Sequence, residues 1–130
     1  MTQDQERRCR YIIHSHAILS SAGNALPLPG VGVAVDTITM TTMAMSLASV
    51  FGGDLKKSVA RNMSINAIRR TVLKQPVKYL TKELSKLCPG LGQVVAPTVS
   101  GVMLETAGWS LAKDLDAKYS YAYQALPEKA

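Results

Sequence analysis

The feature that most constrains this chain of 130 residues is where its charge sits. Residues 54 to 86 hold nine basic side chains (Lys56, Lys57, Arg61, Arg69, Arg70, Lys74, Lys78, Lys82 and Lys86) against two acids, Asp54 and Glu83. The formal net charge is +6, so this block carries more than the whole excess. On either side lie long stretches with almost no formal charge: Tyr11 to Gly53 is broken only by Asp36, and Leu87 to Ala112 only by Glu105. A fold must hide two apolar stretches and display one cationic belt. The belt draws the molecule toward anions, whether phosphate, nucleic acid or an anionic membrane surface.

Each uncharged stretch is long enough for a membrane-spanning helix, which takes about 20 mainly apolar residues. Both nevertheless contain many Ser, Thr and Asn residues, and the mean hydropathy of +0.07 falls short of a multi-spanning protein. The pattern permits a span without requiring one. After Met1 to Arg10 come His14, His16 and Asn24 instead of a compact apolar run and a small-residue cleavage site, so no secretory signal is expected. Two cysteines, Cys9 and Cys88, neither staple a secreted scaffold nor complete a zinc site.

The length fits one domain, 1–130. The apolar runs do not alternate, which predicts an all-α fold of about five helices. Helix one is expected from Gln3 to Ala25, with Tyr11, Ile12, Ala17, Ile18, Leu19 and Ala22 on its buried side. Pro27 and Pro29 end it, because each disfavours a helical residue before it. Helix two is expected from Val31 to Phe51, closed by Gly52-Gly53. Along it Thr37, Thr41, Ala44 and Ala48 line small side chains on one face, suited either to a tight soluble helix pair or to packing in lipid. Asp36, Met40, Met43, Leu47 and Val50 form a second face.

Helix three is expected from Asp54, as N-cap, to Lys74, with Leu55, Val59, Met63, Ile65, Ile68 and Val72 as its apolar positions. A fourth helix starts at Pro76. In it Val77, Leu80, Leu84 and Leu87 oppose a row of Lys74, Lys78, Lys82 and Lys86. That pattern suits a helix lying on an anionic bilayer, and equally a surface helix with solvated lysines. A fifth helix is expected from Gln93 to Tyr119, with Pro97 in its first turn or kinking it, and with Ser100, Gly101, Ala107 and Gly108 as close-packing positions. Residues 120–130 form a frayed tail. Pro29-Gly30-Val31-Gly32 and Pro89-Gly90-Leu91-Gly92 repeat one turn chemistry, assigning Pro27, Pro29, Gly30, Gly32, Pro89, Gly90 and Gly92 to turns.

Searching for chemistry yields little. No Walker A string occurs. His14 and His16 diverge on a helix, and Cys9 with His16 supplies only two ligands, so no metal site, no cofactor and no catalytic residues are assigned. Asp36 and Glu105 are each the sole acid in a long apolar helix, and a buried carboxylate has to be paired, hydrogen-bonded or protonated. His16, Arg61 or Arg69 are the expected partners, which makes His16, Asp36 and Glu105 the expected buried polar set. An enzyme using those three is a weaker reading. Nucleic acid is a minor one, since the basic block holds Tyr79 as its sole aromatic and no zinc spacing.

Taken in order, His16-Ala17, Leu26-Pro27-Leu28-Pro29-Gly30, the Met-rich helix closed by Phe51-Gly52, Cys88-Pro89-Gly90-Leu91-Gly92 and Glu105-Thr106-Ala107-Gly108-Trp109 resemble a bacterial domain-of-unknown-function family. That family is found attached to Era-like GTPases and in small inner-membrane proteins, and its fold is similar to the helical region of immunity-related GTPases. The resemblance covers residues 11 to 119. It departs in having no GTPase domain and in Thr39 where Gln is expected. It implies a helical accessory or membrane-associating module with no established catalytic residues.

The expected function is therefore non-enzymatic. A self-assembling helical protein would sit at the cytoplasmic side of a bacterial inner membrane, with anionic lipid and copies of itself as partners, and would remodel or permeabilise the bilayer. Its lipid-headgroup residues would be Lys56, Lys57, Arg61, Arg69, Arg70, Lys74, Lys78, Lys82 and Lys86. The alternative is a soluble, cytoplasmic helical bundle serving a separate GTPase.

Overall fold

A computed structural model describes residues 1–23, 31–74, 82 and 91–124. Among them are four α-helices and no strand: α1 (Gln3–Gly23), α2 (Val31–Val50), α3 (Lys57–Lys74) and α4 (Leu91–Gln124). The all-α expectation holds. The expected fourth helix from Pro76 to Leu87 lies outside the described residues except for Lys82, as do Pro27, Pro29, Gly30, Lys78, Lys86, Pro89, Gly90 and residues 125–130 of the expected tail, whose residues 120–124 instead continue α4 as helix. Gly32 and Gly92, expected in turns, lie instead in the first turns of α2 and α4. Pro97 falls inside α4, beyond its first turn.

α1 begins with a reciprocal cap. The Thr2 hydroxyl accepts the Gln5 amide at 3.1 Å, and the Gln5 side-chain oxygen accepts the Thr2 amide at 2.9 Å, satisfying two amides that the helix start leaves without partners. Its buried stripe is Cys9, Ile13, Ala17 and Ser20. The expected burial of Tyr11, Ile18, Leu19 and Ala22 is overturned, since all four are exposed. Apolar residues occur all around this helix. The inward face is set by whichever ones fit, and small Cys9 and Ser20 fit where bulkier neighbours do not.

α2 packs against α1, α3 and α4. Asp36, Met40, Met43, Leu47 and Val50 are buried as their spacing requires, and so are Thr41, Ala44 and Ala48, with Thr37 half-buried. The helix stops where expected. Gly52 takes φ +75°, a backbone state that side chains disfavour, while the Gly53 amide reaches back to the Ala48 carbonyl at 2.9 Å and the Gly52 amide to Ser49 at 3.2 Å.

α3 starts three residues later than expected. The first amide bond of this helix runs from Ala60 to the Lys56 carbonyl at 2.9 Å, and Asp54 stays exposed and does not cap it. The connecting residues are spent on placing Leu55 in the core, where it is 5% exposed. The buried face also differs. Ala60, Ser64, Ala67 and Thr71, at intervals of 4, 3 and 4, face inward, whereas Val59 is exposed and Met63, Ile65, Ile68 and Val72 are half-buried. Small side chains let α3 lie close on its neighbours. Burying two hydroxyls is tolerable because Ser64 donates to the Ala60 carbonyl at 2.7 Å and Thr71 to that of Ala67 at 2.9 Å.

α4 supplies Leu104, Ala107, Leu111, Ala112 and Leu115 to the core. A side-chain carbon on Gly108 would come within 2.9 Å of both the Ile13 Cγ2 and the Met43 Sδ, so the meeting of α1, α2 and α4 is possible only without one. On Gly101 it would meet the Ser21 Oγ at 2.8 Å. Ala107 between them is buried; Ser100 lies in α4 with its side chain outside the description. α1 and α3 each pack on both α2 and α4, and so lie diagonally across the bundle from each other.

Candidate functional site: a buried ion pair between two unlike faces

The most unusual chemistry is inside. Asp36, on α2, is 1% exposed, and its two oxygens have separate donors: the Ser20 hydroxyl of α1 donates to Oδ1, and the Lys82 ammonium donates to Oδ2 at 2.6 Å. Ser20 and Lys82 are both 0% exposed. Placing Lys82 among the lipid-facing lysines is therefore wrong, and so is naming His16, Arg61 or Arg69 as partner to Asp36. A buried carboxylate demands a cation and hydrogen bonds together, and here they come from two other parts of the chain. The cluster is closed to solvent.

The remaining members of the expected buried polar set are elsewhere. His16 is half-buried, with Nδ1 2.7 Å from the Ile12 carbonyl of its own helix. Glu105 is 38% exposed at its side chain and pairs at 2.8 Å with His14. His16, Asp36 and Glu105 thus engage three different sets of partners, which gives no support to an acid–base constellation. Burial raises the Cys9 thiol above its ordinary value, with the nearby Asp116 carboxylate adding to the effect and Arg8 opposing it. Such a thiol is protonated and unreactive. Among the described residues no group of three or more His, Cys, Asp or Glu side chains is placed to hold a metal ion.

Two outer faces differ sharply. On α3, Lys56 at its head and Lys57, Arg61, Arg69 and Lys74 along it are exposed and form no ion pair among the described residues, and the helix contains no acid. Arg70 is the exception, bonded to Asp114 at 2.7 Å and to Ser110 at 3.3 Å. Of the nine expected headgroup residues, five are exposed without an ion pair among the described residues, two are committed to partners and two lie outside the description.

The second face runs along the seam of α1 with α4. Tyr11 is 76% exposed, Ile18 57% and Val102 56%, values high enough to make this a greasy surface. Beside Ile18 lies a groove of about 440 Å³, floored by Ala17, Ser21 and Gly101 and bordered by His14, Val102, Glu105 and Thr106. The sequence holds the signal for this face, since these residues are apolar; only the direction they point was misread. None of the helices among the described residues is long and apolar enough to cross a membrane.

Comparison with known proteins returns no matching protein-family model, no matching curated protein and no matching solved structure.

Proposed function

We propose that this chain is a non-enzymatic helical module that associates peripherally with the cytoplasmic face of a bacterial inner membrane and assembles there with copies of itself. The observation that carries this reading is the cationic surface of α3, where Lys56, Lys57, Arg61, Arg69 and Lys74 are exposed without an acid on the helix to neutralise them. Near an anionic leaflet each such side chain contributes about 1 kcal/mol, and the sum decays over a Debye length, so attachment is cooperative in charge and sensitive to salt. The bundle attaches as a folded body, because α2 buries Met40, Met43 and Leu47 against three helices and is not available to insert alone.

Flotation of the full chain with phosphatidylglycerol-containing vesicles tests this. The protein floats with these vesicles at low salt, less at high salt, and not with neutral phosphatidylcholine. Replacing Lys57, Arg61, Arg69 and Lys74 together by Gln abolishes flotation while leaving the fold intact. Absence of flotation with the anionic vesicles, or indifference to the fourfold replacement, overturns the reading.

A further inference from the structure

α1 carries two seams. The inner one is Cys9, Ile13, Ala17 and Ser20; the outer one is Arg7, Tyr11, His14, Ile18 and Ser21, at intervals of 4, 3, 4 and 3. Those intervals are the repeat by which one helix lies along another. The inner seam meets α2 and α4; on the outer one His14 and Ser21 meet the flank of α4, while Tyr11 and Ile18 are left 76% and 57% exposed.

We infer that the outer seam of α1, with Val102 of α4, docks on the same seam of a second copy of this chain in an antiparallel, two-fold arrangement. The inference deepens the self-assembly in the proposed function and rests on that reading for its orientation. Shape supplies the first argument. Each protomer displays a prominent knob, Tyr11, which borders a groove of about 400 Å³ with Arg7, Arg8 and Ile12, and further along the same seam a groove of about 440 Å³ beside Ile18. A two-fold axis between the helices sets the Tyr11 ring of one protomer against Ile18 and into the groove of its partner, and does so twice, which closes the assembly. The groove's polar border of Glu105 and Thr106 gives the phenol hydroxyl somewhere to bond, as a buried tyrosine requires.

Charge supplies the second. The polar groups at mid-seam are already engaged within the protomer, His14 with Glu105 at 2.8 Å and Arg10 with Glu6 at 3.0 Å, so this face does not call for an anionic surface. Arg7 and Arg8 remain at one end. The last turn of α1 contains no basic residue of its own, and a helix carries partial negative charge at its carbonyl end. Antiparallel docking brings Arg7 of one protomer to Ala22 of its partner, beside those carbonyls, whereas parallel docking would stack arginine on arginine. Position supplies the third: α3 lies diagonally opposite, so a bilayer held by its cations leaves Tyr11 and Ile18 of α1 facing away from it.

Sedimentation of the full chain in lipid-free buffer reads the proposal directly. The expected species has twice the chain mass of 14.0 kDa. Tyr11→Ala and Ile18→Lys each convert it to monomer without changing the helical circular dichroism, and Tyr11→Phe does not. Oxidative cross-linking fixes the direction: Ser15→Cys, close to the two-fold axis, forms a covalent dimer, and Ala22→Cys does not, with the parent chain as the blank for its own thiols. A wild-type monomer, a dimer indifferent to both substitutions, or cross-linking through Ala22→Cys overturns the proposal. Flotation run in parallel separates it from the membrane reading. A dimer that does not float keeps the seam and removes the membrane; a monomer that floats removes the seam, and its loss of flotation on Ile18→Lys would assign that face to lipid.

Discussion

The Asp36–Lys82 and Arg70–Asp114 pairs have nearly the same separation, 2.6 and 2.7 Å, in opposite surroundings. The first is closed to water, at 0% and 1% exposure; the second keeps about half of each side chain in solvent, at 51% and 44%. Distance does not distinguish them, and desolvation does. An exposed pair exchanges one hydrated state for another and contributes little. A buried pair has given up its water, so each member depends on the other.

Removing one partner gives the largest expected effect. Asp36→Ala or Lys82→Ala lowers stability by about 3–5 kcal/mol in urea denaturation, because the survivor is a buried charge without its counter-charge. The combined Ser20→Ala, Asp36→Leu and Lys82→Met chain loses much less than either single variant; an equal loss would show that shape, not charge, governs the site. Next in size is Gly108→Val, which forces a side chain between Ile13 and Met43 and lowers stability by about 1–3 kcal/mol by the same measurement. For the outer pair, a double-mutant cycle with Arg70→Ala and Asp114→Ala returns a coupling of about 0.2–1 kcal/mol that shrinks with added salt. A coupling as large as that inside would break the comparison.

The smallest effect is a slope. The folded Cys9 thiol holds its proton above the ordinary value of 9.0, so it contributes stability that is fully present below that value and is lost as pH rises toward the raised one. Denaturation midpoints followed from about pH 8 to about pH 10 fall, and Cys9→Ala makes that fall shallower.

α2 was legible because large apolar residues and one acid share a face, and helical spacing alone orients it. α1 and α3 were not. α1 has apolar residues on both sides, so periodicity offers two inward directions. In α3 the inward stripe of Ala60, Ser64, Ala67 and Thr71 has little hydrophobicity to announce it, since its value lies in how close it lets the backbones come. At the site, the sequence did show that Asp36 needed a partner: a lone carboxylate in an apolar helix cannot be buried alone. It did not show which. Lys82 stands in a row with Lys74, Lys78 and Lys86 at identical spacing, and nothing local sets it apart. That choice belongs to the tertiary fold.

The lysine that neutralises the interior is encoded well after α1 and α2, and chains are made from the amino terminus. As these two helices leave the ribosome, they can bring Ser20 to Asp36 but have no ammonium to offer it. The nascent hairpin therefore gathers its methionines around a carboxylate whose cation follows it out of the ribosome only later. Completion of the first half of this protein waits on the emergence of the second.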